Sequence, residues 1–204
     1  MLRPYEPLLT IVPEGWGVIG ALGGVAALLS LGGAVVVPAV LAAALPAAAG
    51  FYADPRHGVS CKPRGALAPV DGTVIHRREC HDPVLNREAI RIVIRTSLWG
   101  GYCLRAPISG DVMPVSRGGG AAVSRIRTEE GQDLLVRVGR GSLLGARPVM
   151  LGVGERVGQG RRCGLRRLAR EIEVIVPMGW RVEVQLGQRV RSGETLLATM
   201  LRKT

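Results

Sequence analysis

Six arginines crowd into residues 156–170: Arg156, Arg161, Arg162, Arg166, Arg167 and Arg170, set around Gly158, Gly160 and Gly164. A guanidinium offers paired N–H donors that match phosphate or carboxylate oxygens two at a time, so an arginine-dense, glycine-loosened rim is expected to hold an anion. The competing reading is a solvated basic loop. Other reactive side chains are sparse. The four cysteines, Cys61, Cys80, Cys103 and Cys163, show neither C-x-x-C spacing nor histidines at zinc-ligand distance, so no metal site is expected and the thiols read as unpaired, in a reducing compartment. His57, His76 and His81 lie on basic, polar stretches and read as solvated. Asp71, in Ala68-Pro-Val-Asp-Gly72, could act as a base, but Pro-x-Asp-Gly is also a good turn closed by the Asp side chain, and the turn is the favoured reading.

The elements that must position these residues fall into two parts, residues 1–52 and 53–204. Between Glu14 and Asp54 nothing is charged, and Trp16 to Ala49 is mostly Ala, Val, Leu and Gly, a run long enough to be membrane-embedded. Leu31-Gly32-Gly33 interrupts it, and Pro38 and Pro46 follow, so two helices are expected, at about 15–31 and 34–50, joined by a tight turn. Each would rise about 25 Å against a hydrocarbon core of ~30 Å, which suits either a two-span or a re-entrant hairpin. A cleaved signal peptide ending at Ala47-Ala48-Ala49 is disfavoured by the length of the run and by Glu6 and Glu14 before it. A hairpin returns both ends to one side. Arg56, Lys62 and Arg64 after it place that side in the cytoplasm, hence at the inner (cytoplasmic) membrane.

The net charge of +11, from 27 Lys+Arg against 16 Asp+Glu, lies in the second part. Nucleic acid is not an expected partner, because the chain has almost no rings to stack on bases. Anionic phospholipid is, since a basic face at an anionic leaflet gains about 1 kcal/mol per Lys or Arg near the surface.

Residues 53–204 read as a β domain. Ala89–Arg95, Leu134–Val138 and Glu171–Val176 alternate apolar and polar residues, or run apolar with β-branched side chains, between glycine-rich breaks. Two echoes stand out. Ala68-Pro-Val-Asp-Gly-Thr-Val74 recurs as Ala106-Pro-Ile-Ser-Gly-Asp-Val112, and Gly154-Glu-Arg-Val-Gly-Gln-Gly160 recurs as Gly187-Gln-Arg-Val-Arg-Ser-Gly193. Paired turn elements of this kind suit the corners of a quasi-symmetric, barrel-sandwich-like fold, as in biotinyl and lipoyl domains. A swinging-arm carrier is excluded, because no lysine occurs between Lys62 and Lys203.

Taken in order, the apolar hairpin, Phe51-Tyr-Ala-Asp-Pro55, Ala68–Gly72, Arg105-Ala-Pro-Ile-Ser-Gly110, Gly154-Glu-Arg-Val-Gly158 and a strand ending at Pro177 resemble the short, archaeal-type branch of the pyruvoyl-dependent phosphatidylserine decarboxylases. The resemblance runs from about Pro13 to Leu197 and rests on the order and spacing of motifs that are each weak alone. In that family the serine of a Gly-Ser pair attacks the preceding carbonyl, and the ester eliminates. The chain splits into a long β subunit and a short α subunit capped by a pyruvoyl group, whose ketone forms a Schiff base with phosphatidylserine and serves as an electron sink while CO₂ leaves. An Asp and a His assist the serine in a triad-like arrangement.

Carried onto this chain, the resemblance places the family's Asp at Asp71. Its His position is Tyr102, the end of Ser97-Leu-Trp-Gly-Gly-Tyr102, where an assisting Asp has become Gly100. The Gly-Ser pair falls on Ala169-Arg170, after Leu168. Arginine has no hydroxyl to start the acyl shift, so no pyruvoyl cofactor is expected, and a phenol of pKa about 10 is a poor base at neutral pH. Gly141-Ser142, the other candidate pair, aligns well before the cleavage strand. The resemblance thus implies a membrane-anchored pseudoenzyme that binds lipid or serves as an accessory or assembly subunit of a larger membrane complex. The alternative is an active decarboxylase making phosphatidylethanolamine through a non-standard site.

Overall fold

The computed structural model describes residues 9–33, 35–55, 61–97, 101–115, 122–139, 148–167 and 169–201. The chain divides into two compact units, Met1–Arg56 and His57–Thr204. In the first, β1 (Leu9–Ile11) leads into α1 (Pro13–Leu31), and α2 (Val36–Phe51) returns to β2 (Ala53–Pro55), which pairs antiparallel with β1. Helix α1 starts two residues before the expected position because Pro13 occupies its first turn, where a missing N–H leaves no bond unmade. The turn after it uses Gly33 at φ +82°, and α2 begins only at Val36. At the open end the helices meet closely: a Cβ on Gly15 would lie 2.6 Å from the Cβ of Tyr52. Helix α1 is long and apolar enough to cross a membrane, and α2 is shorter. Trp16, Leu28, Leu31 and Val36 project as exposed apolar side chains.

Among its described residues the second unit is built of antiparallel β-strands. Its strands are β3 (Gly65–Leu67), β4 (Gly72–Asp82), β5 (Arg87–Arg95), β6 (Cys103–Arg105), β7 (Gly110–Met113), β8 (Ala122–Arg127) and β9 (Asp133–Val138). There follow β10 (Val149–Met150), β11 (Arg156–Val157), β12 (Arg162–Leu165), β13 (Glu171–Pro177), β14 (Trp180–Val182), β15 (Arg189–Val190) and β16 (Leu196–Met200). The large sheet runs β11-β7-β8-β9-β13-β5-β4-β15, and two smaller sheets run β10-β12-β6 and β14-β16-β3. The inner face of the large sheet contributes Ile92, Ile94, Ile126, Leu134, Val136, Ile172, Val174 and Val176 to the core, and the small sheets contribute Ala66, Leu104, Leu197 and Ala198. Strand β13 is apolar beyond simple alternation because Ile175 turns to the outer face and joins Ala89 and Leu135 in a second, smaller cluster. A mainly β unit following an apolar helical hairpin is the architecture expected from the sequence.

The sequence echoes are a true internal symmetry of backbone hydrogen bonds. Ala68 N–H donates to Thr195 O at 2.9 Å, and Ala106 N–H to Arg161 O at 2.8 Å. Gly193 N–H returns to Ala68 O at 2.9 Å, as Gly160 N–H does to Ala106 O at 2.8 Å. Gly187 donates to Val74 O and Gly154 to Val112 O, both at 2.8 Å. The halves interlock where Leu67 N–H reaches Pro107 O at 2.8 Å and Arg105 N–H reaches Pro69 O at 2.9 Å. All four flanking glycines, 154, 160, 187 and 193, hold φ between +74° and +89°, which explains their recurrence in both copies.

Candidate functional site

Strand β13 starts at Glu171, so Ala169 and Arg170 form its approach. They are fixed from outside: Thr96 N–H donates to Arg170 O at 2.8 Å and Gly139 N–H to Glu171 O at 3.3 Å. Ala169 is fully buried, whereas the Arg170 side chain is exposed. Behind them lies Arg166, which is 0% exposed. Its Nε donates to Gly101 O at 2.7 Å, its Nη2 to Ser97 O at 2.9 Å and its Nη1 to Ala169 O at 3.1 Å. The backbone adds to the clasp, with Arg166 N–H donating to Tyr102 O at 3.1 Å and Ala169 N–H to Arg166 O at 3.0 Å. This last bond closes a turn whose first central residue, Arg167, takes φ +50°. Burial pulls the Arg166 guanidinium below its ordinary pKa, opposed by nearby Tyr102 and Asp71. Tyr102 is itself only 5% exposed. A single buried arginine therefore binds together Ser97, Tyr102 and Ala169, three of the positions singled out by the motif comparison. Gly100, Leu168, His57 and the Gly141-Ser142 pair lie outside the described residues.

The expected arginine rim is corrected by the fold. Residues 156–170 are not one flexible loop, because β11 and β12 run through them, and an extended strand holds its ends apart. Arg156 sits on β11 and is ion-paired with Glu129, Arg161 and Arg162 are exposed at the start of β12, and Arg167 and Arg170 follow its far end. Arg166 leaves the surface set altogether, since a side chain with no exposure offers nothing to a membrane or partner.

The internal symmetry also supplies a control for Asp71. Its Oδ1 accepts the Ser192 backbone N–H at 2.8 Å, and Ser192 Oγ donates to Pro69 O at 3.1 Å. In the other half Ser109 Oγ accepts the Gln159 N–H at 2.9 Å, and Gln159 Nε2 donates to Pro107 O at 3.1 Å. Asp71 thus caps a turn as its symmetry mate Ser109 does, bonding a distant loop rather than its own backbone. Asp71→Ala is expected to cost about 1 kcal/mol by freeing the Ser192 amide, whereas Asp71→Asn, which keeps an acceptor oxygen, costs little. Equal thermal destabilisation by the two changes would show that the charge, not the cap, matters.

Three arginines that sequence reasoning passed over are brought together beside Asp71. Arg95 and Arg189 both lie directly across from Thr73, on β5 and β15, and antiparallel partners project to the same face. With Arg191 and Ser97 they line an open cleft of ≈ 420 Å³. Gly72 makes the close strand approach possible: a Cβ there would stand 2.4 Å from Arg95 O. The repeat Gly187–Gly193 carries Arg189 and Arg191, but only the register reveals that Arg95 meets them.

Among the described residues the cysteines form no disulfide, Cys103 and Cys163 are buried, and burial pushes the Cys163 thiol up to about 12, which keeps it protonated and unreactive. His81, exposed on β4, is held by Glu88 at 3.0 Å and Asn86 at 3.1 Å, and the bond to Glu88 raises its pKa. His76 is likewise exposed.

No family model matches the chain. Among curated proteins, a phosphatidylserine decarboxylase proenzyme of Burkholderia multivorans is 28% identical over 165 residues, covering 74% of this chain and 77% of that protein. The proenzyme of the same name from Burkholderia ambifaria is 29% identical over the same extent. Among solved structures, glucose permease IIA from Mycoplasma capricolum aligns with a TM-score of 0.48 at 21% identity, covering 68% of this chain and 96% of that one.

Proposed function

We propose that the chain, 28–29% identical to phosphatidylserine decarboxylase proenzymes, is a membrane-anchored member of that family that has given up the reaction and works as a lipid-binding or accessory subunit. The observation that carries this reading is the pair Ala169-Arg170 at the head of β13, where the motif alignment puts the family's Gly-Ser. Residue 170 has no hydroxyl to attack the Ala169 carbonyl, and that carbonyl is already engaged by Arg166. The residues present do not fit a pyruvoyl group, since Arg170 cannot eliminate to one. The Asp71 cap is explained by architecture, and the buried Tyr102 phenol is a poor proton acceptor at neutral pH.

The hairpin would hold the protein at the inner membrane with the β unit on the cytoplasmic side, in keeping with Lys62 and Arg64 on the flank that follows. There the excess of basic side chains favours anionic phospholipid, and a larger membrane complex is the second setting in which an inert, anchored β unit would serve.

The test is the mass of the purified protein. One chain of 21.6 kDa is expected, without a short C-terminal subunit and without any hydrazine-reactive carbonyl. A break before residue 170, or CO₂ release from phosphatidylserine vesicles, would return the chain to the active enzymes.

A further inference from the structure

We propose that the cleft beside Asp71 is a phosphate-group binding site, held by Arg95 and Arg189 from the two sides of Thr73 and by Arg191 at its edge. The inference deepens the lipid-binding part of the proposed function and rests on it only for the source of the phosphate. It requires nothing about processing at residue 170.

Geometry carries the proposal. Thr73 on β4 pairs with Arg95 on β5 and with Arg189 on β15, so the two guanidinium stems rise on one face, two strand spacings or about 10 Å apart. Forks of that reach converge on an anion of phosphate size placed over the threonine, each able to give two parallel N–H bonds. Thr73 and Ser97 also line the ≈ 420 Å³ cleft. Existing ion pairs do not close it. Arg95 meets Glu171 at 2.9 Å, but both side chains are more than half exposed, and such pairs are weak enough for a bound phosphate to compete. Arg191 reaches Glu194 only at 3.8 Å. Among the described residues, no carboxylate lies within ion-pair reach of Arg189.

The fold contains its own comparison. The symmetry-related cleft, ≈ 550 Å³, has Arg156 in the place of Arg189, Gly158 in the place of Arg191 and Ser109 in the place of Asp71. There Glu129 and Glu130 line the opening, and Glu129 takes Arg156. The arginine pair repeats, since Arg156 and Arg127 lie across from Asp111 as Arg189 and Arg95 lie across from Thr73. Its surroundings do not: there Asp111, Glu129 and Glu130 answer the cations, whereas here the central residue is the neutral Thr73 and Arg191 is added. The cap and the glycines build the turn in both halves, but Arg191 stands in only one of them, with Gly158 in its place in the other, so it is surplus to the turn, which a ligand explains.

The experiment uses the full chain in a neutral detergent, titrated calorimetrically with inorganic phosphate and, separately, with dihexanoylphosphatidylglycerol below its micellar concentration. The wild type is expected to bind at least one probe, and Arg189→Gln/Arg191→Gln to weaken that binding about tenfold or more, as loss of charge-assisted bonds implies. Arg156→Gln should change it less than about twofold, within the reach of screened long-range charge. Equal affinity for the two probes assigns the site to free phosphate or any phosphate ester, and binding of the lipid probe alone assigns it to a headgroup. All three arginines are exposed, so the variants are expected to fold, and unchanged thermal melting checks this. Absence of binding by the wild type, wild-type affinity in the double variant, or equal weakening by Arg156→Gln overturns the proposal. None of these results bears on the intact mass, which tests the loss of the reaction separately.

Discussion

Arg166→Met is expected to lower the melting temperature of the protein by roughly 6 °C or more. Methionine fills much of the same space but donates nothing, so the carbonyls of Ser97, Gly101 and Ala169 lose their side-chain partner inside the fold. Each buried acceptor left without a bond costs about 1 kcal/mol or more, for a total of roughly 3 kcal/mol. Relief from holding a charge away from water offsets part of this, but the arginine's side-chain bonds run to three carbonyls at once, and an apolar replacement can join none of them by hydrogen bonding. At about 2–4 °C per kcal/mol for a chain of this size, the shift is easily read by differential scanning fluorimetry. Arg166→Lys should fall between, because one ammonium cannot reproduce a three-way fork. By contrast Arg170→Gln, at an exposed side chain only a few residues away, should melt as the wild type does. If Arg166→Met melted with the wild type, the clasp would be dispensable and the burial of Arg166 incidental.

The second large effect concerns the hairpin. Removal of Met1–Arg56 is expected to release the β unit from membranes into the soluble fraction. The compact units part at that boundary, and the core of the β unit is drawn from residues beyond it. The exposed Trp16, Leu28, Leu31 and Val36 mark the apolar surface that would be lost, and burial of two apolar helices far outweighs the attraction of surface arginines to anionic lipid. Some pelleting at low salt would be consistent with the basic β unit, and it should vanish as salt shortens the range of the charges. Truncated protein that still sediments with membranes in high salt would place the anchor in the β unit.

Several features were legible in the sequence because they depend on local chemistry. An uncharged run from Gly15 to Ala53 can only be apolar surface, wherever it is placed. Alternation in Ala89–Arg95 and Glu171–Val176 specifies strands, because side chains on a pleated backbone must face opposite ways. The repeated Pro and Gly positions foretold the internal symmetry, since left-handed backbone at residues 154, 160, 187 and 193 selects glycine in both copies. That residue 170 carries no hydroxyl needed no coordinates at all.

What only the tertiary structure decided is where each arginine points. Arg166 and Arg167 are identical neighbours in the sequence, yet one is sealed inside and its neighbour occupies the left-handed position of the turn. Composition could not separate them, because the difference comes from carbonyls at Ser97 and Gly101, distant in sequence and brought near by the pairing of β6 with β12. The same holds for Arg95 and Arg189, which share Thr73 only through strand register. Charge is a property of the residue, but the partner that makes a charge a clasp or a binding site is set by which segments the fold lays side by side.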